Sequence, residues 1–277
     1  MSISPGDFEF VRTMVRTQAG IVLEPGKEYL VESRLEPLAR REGLASLEEL
    51  VAKLQTPFAA ALNQQVVDAM TTNETTFFRD VEPFEVLRKF VLPEIIERNK
   101  ATRRLGIWYA ASSTGQEPYS VSLLIQEHFP QLLQWDLQQL ATDISPSVLA
   151  RAREGVYSQV EINRGLPANY LVKYFEKQGN KWRLKDPVRK MVRYEELNLI
   201  RPWPAMAPVD IVMIRNVMIY FDVDVKRQIL SRIQKILRPG GYLFLGGAET
   251  TMSLDDSFVR QPHARAGCYC AKTAIAA

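Results

Sequence analysis

Histidine and cysteine are nearly missing from this chain, which carries 2 of each in 277 residues. His128 and His263 stand far apart in sequence, so no metal centre is expected. No candidate motif contains an imidazole to act as a base. Cys268 and Cys270 flank Tyr269, a spacing with poor disulfide geometry, and both are expected to be reduced, as in a cytosolic protein. No apolar run approaches the roughly 18 residues that a membrane helix needs. The opening MSISPGDFEF lacks a signal-peptide pattern, which again points to a cytoplasmic location. An excess of one charge is lacking too: 35 basic and 32 acidic side chains leave +3. No nucleic-acid partner is therefore expected, and a target-base motif such as N-P-P-Y does not occur. What the chain does have is 46% hydrophobic residues, ample for one large domain or a medium domain with a small one.

Glycine is scarce where a phosphate-binding loop would need it. Leu105–Ala110 is an apolar run that empties into ASSTG, and from Glu117 a helix-like run continues to Ile125. A second apolar run, Leu137–Thr142, ends just before Asp143. Strand, tight loop, helix, strand and acidic tip outline a βαβ nucleotide site. Pyrophosphate binders carry G-x-G-x-x-G so that bare backbone can approach the phosphates, and only Gly115 is present here. Asp143 follows at about the distance where an acid meets ribose hydroxyls. An adenosyl cofactor without phosphate fits both facts, and S-adenosylmethionine is the common one. The competing reading is an ordinary loop of a parallel sheet.

The rest of the pattern frames that site. Residues 1–70 read as a small helical domain. Phe8, Val11, Met14 and Val15 share a face that stops at Gly20, and Tyr29, Leu30, Leu35 and Leu38 line a second helix ending at Gly43. Ser46 is placed to cap a third. Residues 71–90 read as a linker and the start of a catalytic domain that fills 91–277. In that domain Val209–Ile214 is a buried strand and residues 224–237 an amphipathic helix with Ile229, Leu230, Ile233, Ile236 and Leu237 on one face. A Pro-Gly-Gly turn leads to a strand at Tyr242–Leu245, and the final run GCYCAKTAIA suits an edge strand. Alternating strands and helices imply a parallel sheet between helices. A small β insertion is expected at about 157–197, with its turn at Lys185-Asp186-Pro187.

Three further features carry candidate chemistry. TTNETTFFRD (Thr71–Asp80) is either a linker stapled by Phe77 and Phe78 or a pocket edge, where Arg79 would hold a carboxylate. RNVMIYF (Arg215–Phe221) follows a buried strand, so Asn216 and Tyr220 belong at the ligand end of the sheet, and Asn198-Leu199 ends another segment similarly. Either asparagine reads as an adenine contact or as a turn cap. Arg34, Arg40 and Arg41 near the end of the second helix form either a solvated face or a docking surface for an acidic partner.

Taken in order, TTNETTFFRD, AASSTGQEPYS, ATDIS and RNVMIYF resemble the CheR family of chemotaxis receptor methyltransferases, with RPGGYLFLGGAE in the place of its late strand. The resemblance runs from about residue 5 to 272. It implies an all-α N-terminal domain before a Rossmann-like class I methyltransferase domain of α/β type, with a small antiparallel β-subdomain. The implied activity is S-adenosylmethionine-dependent methyl esterification of glutamates on the cytoplasmic helices of chemoreceptors, releasing S-adenosylhomocysteine. By motif position Asn73, Thr75 and Arg79 would border cofactor and substrate, and Glu117 would bind the methionine portion. Asp143 would bind the ribose, and Asn198, Leu199, Asn216 and Val217 the adenosine side. Arg79 and Tyr220 would orient the substrate carboxylate, and Arg34, Arg40 and Arg41 would meet the acidic receptor helices. The membrane would then be approached only through the receptor. Some family members grip a receptor C-terminal pentapeptide with the β-subdomain. The compact insertion between Gly179 and Tyr194 argues for a pentapeptide-independent enzyme. A methyltransferase for another acceptor and a non-catalytic cofactor-binding scaffold are the alternative readings.

Overall fold

The structure is a computed structural model that describes residues 3–262 and 267–272. His263 and the last residues of the GCYCAKTAIA run lie outside that range. The chain divides into two compact units, Met1–Thr72 with Tyr220–Val225, and Asn73–Ile219 with Lys226–Ala277.

The first unit holds helices α1 (Pro5–Ala19), α2 (Glu28–Arg41), α3 (Leu47–Leu54) and α4 (Ala60–Met70). Their ends follow from local chemistry. Ser4 caps α1 by accepting the Asp7 N–H at 3.1 Å, and Gly20 closes it at φ 74°, a left-handed conformation that glycine adopts without strain. Ser46 accepts the Glu49 N–H at 3.3 Å, a cap worth about 1 kcal/mol. Phe8, Val11, Val15, Val31, Leu35, Leu38, Leu50 and Val66 form one apolar core. Tyr29 departs from the expectation: it is 58% exposed, because the buried stripe of α2 runs through Val31, Leu35, Leu38 and Ala39 instead.

The second unit begins at once after that helical unit. Residues 71–90 are less a linker than expected, since Phe77, Phe84, Val86 and Leu87 are buried in the core of the second unit. Helices α5 (Glu82–Val86) and α6 (Leu92–Asn99) are joined by a π-helical turn, Leu87–Val91. Then β1 (Arg104–Ala110), α7 (Gln116–His128), β2 (Asp136–Asp143) and α8 (Pro146–Glu154) give the expected βαβα order. A small sheet follows from β3 (Val156–Ser158), β4 (Phe175–Gln178) and β5 (Lys181–Leu184), with α9 (Gln159–Asn163) and α10 (Ala168–Tyr174) between its strands. After α11 (Asp186–Arg189) come β6 (Arg193–Glu196), β7 (Val209–Ile214), α12 (Val223–Ile236), β8 (Leu237–Leu245), β9 (Phe258–Arg260) and β10 (Gly267–Ala271).

The large sheet has the order β6-β2-β1-β7-β8-β10-β9. From β6 to β8 neighbours are parallel, whereas β10 is antiparallel to both β8 and β9. The chain runs outward from β1 through β2 to β6, then returns to β7 on the other side of β1. That reversal opens a crevice at the carboxyl ends of β1 and β7, where open α/β sheets bind ligands. The two central parallel strands, β1 and β7, are buried on both faces, β7 along its whole length.

Four details correct the sequence expectations. The hairpin turn lies at Gly179-Asn180, with Gly179 at φ 59°, because Gln178 pairs directly with Lys181. Lys185-Asp186-Pro187 instead opens α11, where proline suits a first helical turn. The second strand of that segment, β6, leaves the subdomain and pairs with β2, and its exposed Arg193, Glu195 and Glu196 suit a sheet edge. Finally, the C-terminal run is not the edge: β10 is buried between β8 and β9, and β9 ends the sheet. The Pro-Gly-Gly segment lies inside β8 as a register irregularity opposite Val209–Ile211, with Gly240 at φ 70°.

Candidate active site at the strand tips

Several residues hold left-handed backbone that side chains disfavour, and these gather at one place. Ala111 (φ 57°), Ser113 (φ 50°) and Asn216 (φ 59°) stand beyond β1 and β7, and Phe78 (φ 48°), Asp80 (φ 68°) and Val81 (φ 49°) in the polar loop. Each costs of order 1–3 kcal/mol, so the surroundings must enforce it. The enforcement is visible. Ser113 Oγ donates to the Asn73 carbonyl at 2.8 Å, and the Phe78 N–H donates to Ser120 Oγ at 2.9 Å, tying the polar loop to the β1–α7 connection and to α7 itself. Phe77 is fully buried, edge-on to Tyr157 at 5.0 Å and Phe175 at 5.7 Å. The aromatics of TTNETTFFRD therefore staple the loop into the core of the second unit, not one domain to another.

At the tip of β2, Asp143 is 5% exposed and both its oxygens are engaged. Oδ2 accepts the Ser113 N–H at 2.8 Å and Oδ1 the Ser145 N–H at 3.1 Å. Gly115 is required for a reason the sequence did not reveal. Its φ is +91°, and a Cβ there would stand 2.7 Å from the Tyr194 hydroxyl and 3.0 Å from Ala152 Cβ. The glycine lets the loop lie against β6 and α8.

Glu117 opens α7, and its Oε2 accepts from Arg215 Nη1 at 2.6 Å. Arg215, whose side chain is 1% exposed, also reaches Asp80 Oδ2 at 2.6 Å and the Arg79 carbonyl at 3.1 Å. Its guanidinium carbon lies 5.9 Å from the centre of the Phe84 ring. Sequence reasoning assigned Arg215 and Asp80 no role, although a charged residue directly after the apolar strand VDIVMI was a signal. Glu249 was missed as well: its Oε2 accepts the Asn216 N–H at 2.9 Å and the Gly246 N–H at 2.6 Å, and Oε1 the Ile219 N–H at 3.3 Å. It ties the tip of β7 to that of β8. The Asn216 side chain packs on Gly246, where a Cβ would come within 2.8 Å of Nδ2.

The other expected residues fall as follows. Asn198 caps a turn, its Oδ1 accepting the Ile200 N–H at 3.1 Å, and Leu199 is buried beside it. Val217 is half-buried after Asn216, and Thr75 half-buried in the polar loop. Arg79 donates to the Glu74 carbonyl at 2.9 Å. Asn73, Thr75, Arg79, Glu117, Asp143, Asn198, Leu199, Asn216 and Val217 all belong to the second unit, whereas Tyr220 belongs to the first. In the first unit Arg34 parts company with Arg40 and Arg41. Its guanidinium is spent on the Met70 carbonyl (2.5 Å), the Thr71 carbonyl (3.3 Å) and Thr72 Oγ1 (2.8 Å), which satisfies carbonyls at the end of α4. Arg40 and Arg41 remain exposed, the former paired with Glu36 at 2.9 Å and the latter with Gln65 at 3.1 Å.

An adenosyl sulfonium can be tested against this site. Asp80, Arg215 and Glu117 together carry two carboxylates against one guanidinium, a net negative charge that suits a ligand cation. Glu117 Oε1 takes no hydrogen bond among the described residues. Ser112 Oγ, just beyond β1, is buried without a partner among the described residues. A ligand hydroxyl or amine there would remove a cost of roughly 1–3 kcal/mol. The donor set fits.

A switch-point crevice at the tips of a parallel sheet, edged by an antiparallel strand pair and preceded by an all-α domain, defines a Rossmann-like methyltransferase architecture. The chain belongs to the CheR methyltransferase family: residues 73–266 match its SAM binding domain and residues 6–71 its all-alpha domain. It is 46% identical over 263 residues to Chemotaxis protein methyltransferase 1 of Pseudomonas aeruginosa, which covers 93% of this chain and 95% of that protein. Chemotaxis protein methyltransferase Cher2 of Pseudomonas putida is 44% identical over 262 residues, with 93% and 95% covered. The chemotaxis protein methyltransferase of Vibrio parahaemolyticus is 41% identical over 262 residues, with 93% and 94% covered. S-adenosylmethionine is the cofactor of this family's domain. No helix among the described residues is long and apolar enough to cross a membrane.

Proposed function

We propose that this chain methylates glutamate side chains on the cytoplasmic helices of chemoreceptors, releasing S-adenosylhomocysteine. The reading is supported above all by the pairing of both family domains in one chain with Arg40 and Arg41 exposed at the end of α2. When bound, S-adenosylmethionine supplies a methyl carbon made electrophilic by its sulfonium. Asp143 would hold the ribose, Glu117 the methionine portion, and Asn73, Thr75, Asn198, Leu199, Asn216 and Val217 the rest of the cofactor's outline.

A glutamate carboxyl ionises near pH 4.3, about three units below neutrality, so the acceptor oxygen already carries its electron pair. No side chain has to take a proton. The work left to the protein is alignment and exclusion of water, and well-placed reactants gain roughly 7–11 kcal/mol. Arg79 spends one N–H on Glu74, which leaves the rest of its fork for the incoming carboxylate. It must hold that group loosely, because a tight ion pair would blunt the nucleophile. Arg79→Ala should lower turnover by tens-fold or more, the scale of one charged hydrogen bond. An unchanged rate would remove Arg79 from the mechanism.

The exposed pair Arg40 and Arg41 would lie against acidic receptor helices. Reversing both charges should weaken receptor methylation and leave S-adenosylhomocysteine affinity intact, whereas equal loss of both would indicate a damaged fold. The two-residue hairpin at Gly179-Asn180 supports a pentapeptide-independent enzyme, and micromolar calorimetric binding of a receptor C-terminal peptide would defeat that part. The central test is incubation with methyl-labelled S-adenosylmethionine and receptor cytoplasmic fragments. Base-labile label on receptor glutamates is expected. Base-stable label, or transfer only to small acceptors, would overturn the reading.

A further inference from the structure

Arg215 is the most deeply buried cation at the strand tips, and nothing in the reaction as described uses it. Its side chain is 1% exposed, and its two terminal nitrogens are divided among three acceptors. Nη1 serves Glu117, while Nη2 serves both Asp80 and the Arg79 carbonyl. Those acceptors come from the polar loop and from the first turn of α7, so one guanidinium links three separate chain segments. Two of the linked positions need holding. Asp80 sits at φ 68°, next to Val81 at φ 49°, a conformation that a β-branched residue resists. Glu117, unheld, would sample several rotamers across the crevice.

We infer that Arg215 is a positioning residue for the cofactor's amino-acid end: it fixes Glu117 through Oε2 so that Oε1 is presented to the α-ammonium, and anchors that pair to Asp80. The inference rests on the proposed placement of Glu117. The charge count agrees with it. With one guanidinium between two carboxylates the cluster carries one uncompensated negative charge, and a bound ammonium cancels it. Burying the arginine also keeps water from competing for Glu117, since the pair lies in a region where charge–charge contact is weakly screened. The planar fork matters, because a lysine can reach one carboxylate as a point charge but cannot hold two groups and a carbonyl in a fixed arrangement.

The two halves of the cofactor separate this role from a structural one. S-adenosylhomocysteine carries the α-ammonium, whereas 5′-methylthioadenosine keeps the adenosine and lacks the amino-acid end. Calorimetry on the full chain should show Arg215→Gln weakening S-adenosylhomocysteine about tenfold or more, the scale of one charge-assisted hydrogen bond, with 5′-methylthioadenosine within about twofold of the parent. Asp80→Asn alters a side chain that is 52% exposed, leaves the core intact and should shift only S-adenosylhomocysteine, by a smaller factor. It decides the matter if the Arg215 variant does not fold. In steady state the loss should appear in KM for S-adenosylmethionine more than in kcat. Equal weakening of both ligands, or no weakening of S-adenosylhomocysteine in either variant, overturns the inference. Glu117→Gln distinguishes the two levels. If it weakens S-adenosylhomocysteine while the Arg215 and Asp80 variants do not, only the role of Arg215 is lost. If it has no effect, the placement of Glu117 falls and this inference falls with it.

Discussion

Replacing Asp143 with asparagine probes the site and the fold in one change. The volume is almost unchanged, but the two carboxylate oxygens that accept Ser113 N–H at 2.8 Å and Ser145 N–H at 3.1 Å become one acceptor and one donor. Whichever way the amide turns, an –NH2 group faces a backbone N–H inside a buried site. One charge-assisted bond is lost and one donor is left without a partner, a cost of about 1–3 kcal/mol. For a unit of this size that corresponds to a fall in Tm of roughly 2–4 °C per kcal/mol. The proposed ribose contact would be a second loss, one that appears only with ligand. Thermal melts with and without S-adenosylhomocysteine therefore separate the two effects. A ligand at 100 times its Kd raises stability by about 2.7 kcal/mol, and a tenfold weaker site loses about half of that gain. The variant should melt lower without ligand and gain less from it. A variant that melts with the parent and keeps the full ligand shift would refute both the double-acceptor geometry and the ribose assignment.

Other consequences are more local. Gly115→Ala places a Cβ at φ +91° and 2.7 Å from the Tyr194 hydroxyl, so it should cost about 1–2 kcal/mol in backbone strain before the clash is counted. Tyr194→Phe in the same chain should recover part of the loss in a denaturant titration, and no recovery would place the strain elsewhere. Alkaline pH should unfold the second unit. Burial raises the Tyr119 phenol from 10.0 to about 12 and the Cys268 thiol from 9.0 to about 12, and burial likewise raises Tyr109, Tyr157 and Tyr194. These groups keep their protons in the folded state and release them on unfolding, so their stability is intact below about pH 9 and declines as pH rises towards 12. A Tm that stays flat through that window would contradict the burial.

Much of the fold could be read from the sequence because its signals were local. Ser4 and Gly20 bracket α1, Ser46 starts α3, and the apolar runs at 105–110, 137–142 and 209–214 became β1, β2 and β7. What failed was pairing over distance. VRYEE reads as a hairpin partner because it follows a turn-like Asp-Pro, but its alternation of one buried tyrosine with charged neighbours fits a sheet edge equally well. Only the vacant side of β2 decides between them. GCYCA likewise carries no mark showing that β9 would cover its outer side. At the site, Asp143 was marked as a candidate by its strand-then-acid pattern, and Glu117 by its place in the motif of the resembled family alone. Arg215, Asp80 and Glu249 were not, because their significance lies in one another: a buried arginine has meaning only once two carboxylates are seen to meet it.

The same logic explains why the polar loop contains two phenylalanines. Asn73–Asp80 must remain close to the strand tips, yet its residues at positive φ oppose that conformation. Hydrogen bonds to Ser113 and Ser120 fix its height over the β1–α7 turn, and Phe77 fixes its lateral position against Tyr157 and Phe175. Gly165 completes the fit, since a Cβ there would collide with the Phe77 carbonyl. Two edge-on aromatic contacts contribute about 1–3 kcal/mol together, comparable with the strain of one such residue. Phe175 is also the first residue of β4, an outer strand of the small sheet. The small sheet is therefore a buttress for the polar loop as well as an appendage of the large one. A change that loosens Phe77, such as Phe77→Ala, should free Arg79 and Asp80 before it unfolds the large sheet.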